Sequence, residues 1–159
     1  MSKVYKLRNA FTLNATGAKV NVIASPAFKQ EINRHQQYFN FDFSNMLKDF
    51  IVYKFTVAEQ PGFIQALVAF RATPGVLDCA NMETNRHNRK PAPVYGNTGK
   101  AIVAFCCKYS IDNGMDGYIT FESKGRLRGY YLRLGANFIS PVKMYIDTKG
   151  AQKLIVLYF

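Results

Sequence analysis

The residues best suited to chemistry are Tyr95-Gly96-Asn97-Thr98-Gly99-Lys100, which stand directly before an amphipathic run from Ala101 to Asn113. Small residues at the start of a helix leave several backbone N–H groups facing one point. The helix dipole makes that point positive, and Lys100 adds a full charge. Such a turn is suited to holding an anion, phosphate above all. A plain loop whose glycines serve only turn geometry is the competing reading. Other phosphate motifs fit less well. A P-loop needs Ser or Thr after Gly-Lys and a glycine five positions before that glycine. Here Ala101 follows Gly99-Lys100, and Val94 stands in the earlier position. A G-x-G-x-x-G fingerprint is absent, and Arg128-Gly129-Tyr130-Tyr131 only begins like the RNA-recognition stretch.

The other reactive side chains point to less. The three cysteines, Cys79, Cys106 and Cys107, have neither C-x-x-C nor Cys/His ligand spacing. Neighbouring positions on a helix face different ways, so the expectation is three buried, reduced thiols and no metal site. His35 and His87 have no paired acid or nucleophile in view, and both read as surface residues.

The elements that must position the turn can be placed from periodicity. Val20 to Ala24 is a short strand candidate. Gln30 to Met46 reads as helical or irregular segments packed on a sheet edge. Within it, Phe39, Phe41 and Phe43 share a side if the chain is extended. Ile51–Val57, Phe63–Phe70 and Val76–Met82 read as an antiparallel meander. Its turns are Glu59-Gln60-Pro61-Gly62 and Thr73-Pro74-Gly75. In the helix after the turn, Ile102, Phe105, Cys106 and Tyr109 share a face, and Asn113-Gly114 stops it. Gly117–Phe121 is a strand and Gly125–Leu134 a helix, with Leu127, Tyr130, Tyr131 and Leu134 on its apolar face. Lys143–Ile146 is a short strand. Asp147 can cap a last helix carrying Ala151, Leu154, Ile155 and Tyr158, while Leu154–Phe159 also reads as a strand. The order is a meander followed by strand–helix–strand–helix and a small β/α end. No linker or repeat interrupts it, so one α/β domain over residues 1–159 is expected.

Composition narrows the class. With 159 residues, 48% hydrophobic and 14% aromatic, the chain is long and apolar enough to bury a sizeable core. No apolar run is long enough to span a bilayer. Met1 to Arg8 lacks the apolar core of a signal peptide, which makes a cytoplasmic location the expectation. The formal net charge of +11, from 21 basic and 10 acidic residues, favours anionic partners: nucleic acid, phosphorylated cofactors or acidic protein surfaces.

From Gly62 to the C-terminus the sequence resembles the GNAT superfamily of N-acetyltransferases, through a set of short pieces in the right order. Phe63-Ile64-Gln65-Ala66-Leu67 resembles the strand before the central one. Met82-Glu83, then His87-Asn88, resemble the end of the splayed central strand. Tyr95 to Lys100 with Val103-Ala104-Phe105 resembles the cofactor loop and its helix. Gly114 to Lys124 resembles the next strand and turn, and Tyr130 with Leu134-Gly135-Ala136 the helix that follows. The family loop runs Q/R-x-x-G-x-G/A. This sequence has Val94 at the Arg/Gln place and Asn97 at the first glycine place. Asn tolerates positive φ, so the turn can survive.

The resemblance implies a mixed, mainly antiparallel sheet with splayed central strands, flanked by helices. It also implies acetyl-CoA as donor and an amine as acceptor. Asn81, Met82 and Asn88 would line the pantetheine channel. Tyr95, Gly96, Asn97, Thr98, Gly99, Lys100 and Ala101 would form the pyrophosphate cradle. Tyr130 would give a proton to the leaving thiolate, with Tyr131 its natural competitor and a plain core tyrosine the competing reading. Glu83 would collect the amine's proton through water, against a plain surface strand residue. The implied alternative is a GNAT-like protein without catalysis that holds nucleic acid or an acidic protein on its basic surface. The acceptor and the oligomeric state are not legible in these residues.

Overall fold

The computed structural model describes residues 3–159. In chain order its elements are β1 (Tyr5–Leu13), β2 (Ala18–Pro26), α1 (Lys29–His35), α2 (Phe43–Met46), β3 (Ile51–Val57), β4 (Ala66–Thr73), β5 (Val76–Thr84), β6 (Tyr95–Gly96), α3 (Thr98–Asp112), β7 (Ile119–Glu122), α4 (Arg128–Arg133), β8 (Asn137–Phe138), β9 (Lys143–Ile146) and α5 (Thr148–Tyr158). Short 3-10 turns precede α4 and follow α1 and β5. The described strands form one sheet in the order β6-β1-β2-β3-β4-β5-β7-β9-β8. Every neighbouring pair is antiparallel except β5 and β7. This is the mixed, mainly antiparallel sheet that the resemblance implies.

The central strands are buried on both faces, and strict alternation assigns each residue to a side. Tyr53, Phe55, Val68 and Phe70 face a large core under α3 and α5. Val52, Leu67 and Ala69 face a smaller core under α1 and α2, which supply Ile32 and Phe43, with Phe39 from the turn between them. Phe105 is the hub of the larger core. Its ring centroid lies 4.9 Å from Tyr53, 5.2 Å from Tyr5 and 5.2 Å from Phe55. Residues 101–107 of α3 are buried on all sides, not on one stripe, because Ala151, Leu154 and Tyr158 of α5 join the same core.

The pairing of β5 with β7 creates the site. It covers only Leu77↔Ile119, Asp78↔Thr120 and Cys79↔Phe121. Beyond Cys79, β5 continues to Thr84 on β4 alone, while β7 ends at Glu122. The two strands part there, leaving one side of the β5 end without a ladder.

Several expectations shift. The strand expected at Phe63–Phe70 is Ala66–Thr73. Phe63 and Ile64 belong to the preceding turn, and Ile64 instead donates its N–H to His35 Nε2. The aromatic segment after Gln30 packs on a sheet face rather than on an edge. His35 is buried, contrary to the surface reading. Its Nδ1 faces the Glu31 carbonyl at 2.8 Å while Nε2 accepts from Ile64, so the ring is a neutral strut with the hydrogen on Nδ1. His87 is exposed, as expected. The three cysteines are buried and free, and burial pushes the thiols of Cys106 and Cys107 up. No described helix is long and apolar enough to cross a membrane.

Candidate active-site cleft

A cleft of about 540 Å³ opens where β5 leaves β7. Its walls are the β5 end (Met82, Glu83, Thr84), the loop that follows (Asn88, Lys90, Pro93), the turn Tyr95 to Gly99, and Leu127, Tyr130 and Tyr131 from the α4 region. Most of the expected site residues therefore come together. Asn81, Lys100 and Ala101 do not line the cleft. Asn81 turns to Met46, donating to its Sδ at 3.1 Å. Ala101 is wholly buried in the core. Lys100 follows Gly99 in the first turn of α3.

The turn is built by non-local hydrogen bonds. β6 pairs with β1 through Thr12↔Gly96 and Leu13↔Tyr95. Asn14 donates its backbone N–H to the Val94 carbonyl at 3.0 Å and its Nδ2 to the Pro93 carbonyl at 2.9 Å. Asn88 accepts the Tyr95 N–H at 3.0 Å and donates to Gln65 Oε1 at 2.8 Å. Asn97 sits at φ 66°, ψ 18°, as its place in the family's glycine pattern requires. It is the N-cap of α3, and no side chain caps the helix there. The first turn of a 15-residue helix thus has no side-chain cap, and its residues Thr98 and Gly99 line the cleft.

Tyr130 lies over that opening. A Cβ built on Gly99 would stand 3.2 Å from its hydroxyl, so glycine is what lets the phenol and the helix start approach. Burial raises the Tyr130 pKa, and the nearby Tyr158 adds to it; the Lys100 N–H and Arg133 oppose. The hydroxyl is a protonated donor at neutral pH. Tyr131 packs on Phe121 at 4.7 Å. Burial first, then the Tyr130 neighbour, pushes its pKa up to about 12.

Glu83 is held more tightly than its sequence context foretells. Oε2 accepts the Asn40 N–H at 2.7 Å and Oε1 the Phe41 N–H at 3.0 Å. Arg89 forms an ion pair with Oε2. A carboxylate has about four acceptor positions, so one on Oε1 is left for water. Val94, at the family's Arg/Gln place, is exposed, and Lys90 from the same loop is the cation that lines the cleft. Sequence reasoning missed Lys90, Asn14, Gln65, Leu127 and Tyr158. Only Lys90 carried a local signal, a charge in the loop before the turn.

No protein-family model matches the chain, and a sequence comparison with curated proteins finds no match. Solved structures do match. A bacterial toxin superposes with a TM-score of 0.64 at 12% identity, covering 86% of this chain and 96% of the other. A structure described as an acetyltransferase of the GNAT family from Desulfovibrio desulfuricans gives 0.60 at 12% identity, covering 80% and 99%. This chain has the GNAT fold. A further GNAT-fold structure, AtaTR solved with acetyl-CoA bound, gives 0.56 at 8% identity, covering 84% and 97%. In GNAT terms, β5 and β7 are the splayed pair and α3 is the helix that opens on the splay.

Proposed function

We propose that the chain is an N-acyltransferase that moves an acetyl group from acetyl-CoA to an acceptor amine by direct attack on the thioester. One observation carries the proposal: the uncapped start of α3 opens into a cleft at a strand splay, with a neutral phenol over it. The fold likeness to AtaTR, solved with acetyl-CoA, supports the same donor here.

The residues present fit that donor. The amides of Thr98 and Gly99 supply hydrogen-bond donors and the positive helix end for a pyrophosphate, and Lys90 supplies a cation at the cleft wall. The free side of β5 at Met82 offers backbone groups to an extended arm of peptide-like amides; the Thr84 carbonyl beyond it is taken by the Arg89 guanidinium. When bound, the thioester supplies the activated acyl group. The Tyr130 hydroxyl holds the proton that a leaving thiolate needs; a thiol of pKa about 8.5 is a good match for a phenol donor. The free position on Glu83 Oε1 takes a water through which the amine's proton leaves, since an alkyl amine of pKa about 10.4 must be neutral to attack. A reducing, cytoplasmic setting suits the three buried thiols.

The reaction can be followed directly. The purified protein, acetyl-CoA and a panel of amines (amino acids, diamines, peptides with free N-termini) are mixed, and thiol release and acetylated amine are quantified together. Equal amounts of both, above the protein-free rate, are expected. No thiol release with any amine, at saturating donor, contradicts the proposal.

A further inference from the structure

Asn97 stands where the GNAT pattern has glycine, and both hydrogens of its side-chain NH2 are used. The Nδ2 group donates one hydrogen to the Ala10 carbonyl at 3.0 Å and the other to the Tyr158 hydroxyl at 2.7 Å. Glycine would adopt the same left-handed backbone at lower cost, so the amide is what asparagine adds.

Both acceptors are placed for it. The β1–β2 register shifts between Leu7 and Phe11, with Asn9 at φ 53°. A bulge takes carbonyls out of the strand ladder, and that of Ala10 meets Asn97. Tyr158 comes from the last turn of α5. The end of α5 is tied to the same bulge by Arg8, whose guanidinium donates to the Phe159 carbonyl at 2.8 Å. Tyr158 is itself buried. Burial raises its pKa while the Asn97 donor opposes, so its oxygen stays a neutral acceptor across ordinary pH. The bulge, the end of α5 and the start of α3 thus converge on one amide.

We propose that Tyr158 is a positioning residue of the donor site: through Asn97 it fixes the direction of the Thr98, Gly99 and Lys100 amides. The functional part of the proposal rests on the acetyl-CoA reading; the structural part stands apart from it.

Two variants test it, Tyr158→Phe and Asn97→Gly, with CoA as the probe. Calorimetry gives CoA affinity, and backbone NMR follows the Thr98, Gly99 and Lys100 amides. Losing one hydrogen bond of ordinary strength should weaken CoA binding about three- to tenfold in Tyr158→Phe. Asn97→Gly, which loses two, should cost about tenfold or more although its backbone is freer. Both should shift the three amides and speed their exchange, with core resonances unmoved. Should Asn97→Gly fold poorly, Tyr158→Phe keeps its ring and remains readable. CoA affinity and amide signals unchanged from wild type in either variant would overturn the proposal. If the wild-type protein shows no CoA affinity while the amides still move in both variants, the donor reading fails and the tether is supported.

Discussion

The Tyr130 hydroxyl lies 3.2 Å from where a Cβ on Gly99 would stand. The proposed proton donor and the proposed phosphate cradle are therefore in contact. A change at Gly99 acts on both.

Gly99→Asp should separate folding from binding. An acidic residue in the first turn favours the helix dipole by about 0.3–1 kcal/mol, and replacing helical glycine removes a further cost. The carboxylate would occupy the place of the donor's phosphates. The added Cβ crowds the Tyr130 hydroxyl and offsets the helix gain, so thermal melting should show a folded protein within about 1 kcal/mol of wild type, with CoA affinity lost. Wild-type affinity in this variant would place the anion elsewhere.

Tyr130→Phe should lower kcat by about a hundredfold or more, the range of a general acid, with donor KM little changed. The active form of Tyr130 is protonated, and its pKa is raised above the ordinary 10 by burial. The alkaline fall of kcat should therefore begin only above about pH 10 and be absent from the variant. A fall in the wild-type profile below pH 9 that the variant abolishes would rule out this donor state.

Glu83→Gln distinguishes brace from base. The side chain is isosteric, but its NH2 would replace one oxygen and face either the Phe41 amide or the Asn40 amide and Arg89. Removing a charged acceptor from buried donors costs about 1–3 kcal/mol, measurable as a lower midpoint in urea. If Glu83 also collects the amine's proton, kcat should fall at a pH and temperature where the variant is folded. Full kcat in folded variant would leave it a brace alone.

Phe105→Ala should be among the costliest single changes. The ring is wholly buried and meets Tyr5, Tyr53 and Phe55. Phe→Ala in a core costs about 3–5 kcal/mol. Chemical denaturation reads this directly, and a loss below about 1 kcal/mol would mean the core collapses around the gap.

What was legible in the chain was local. Lys143–Ile146 alternates cleanly, and Asp147 accepts the Gly150 N–H at 2.8 Å as an N-cap should. The turn before α3 carried its own glycines, and Asn97 took the left-handed backbone that its position implied. β1 stayed hidden because its bulge at Asn9 breaks the two-residue period: Tyr5 and Leu7 alternate, then Ala10 and Phe11 are buried side by side. β6 and β8 have two residues each, too few for any period. The site's supports are long-range. Glu83 is bonded to residues 42 and 43 positions away, and Asn97 to residues 61 and 87 away. Such partners leave no trace in a local window.

The central claim is that the opening of α3 holds the phosphates of acetyl-CoA. Calorimetric titration of acetyl-CoA into wild-type protein and into Gly99→Asp tests it most directly. The wild type should bind with one site per chain, more weakly as salt rises, because phosphate contacts are screened, and the variant should not bind. Absence of heat from the wild type at millimolar acetyl-CoA, or equal binding by both, would contradict it.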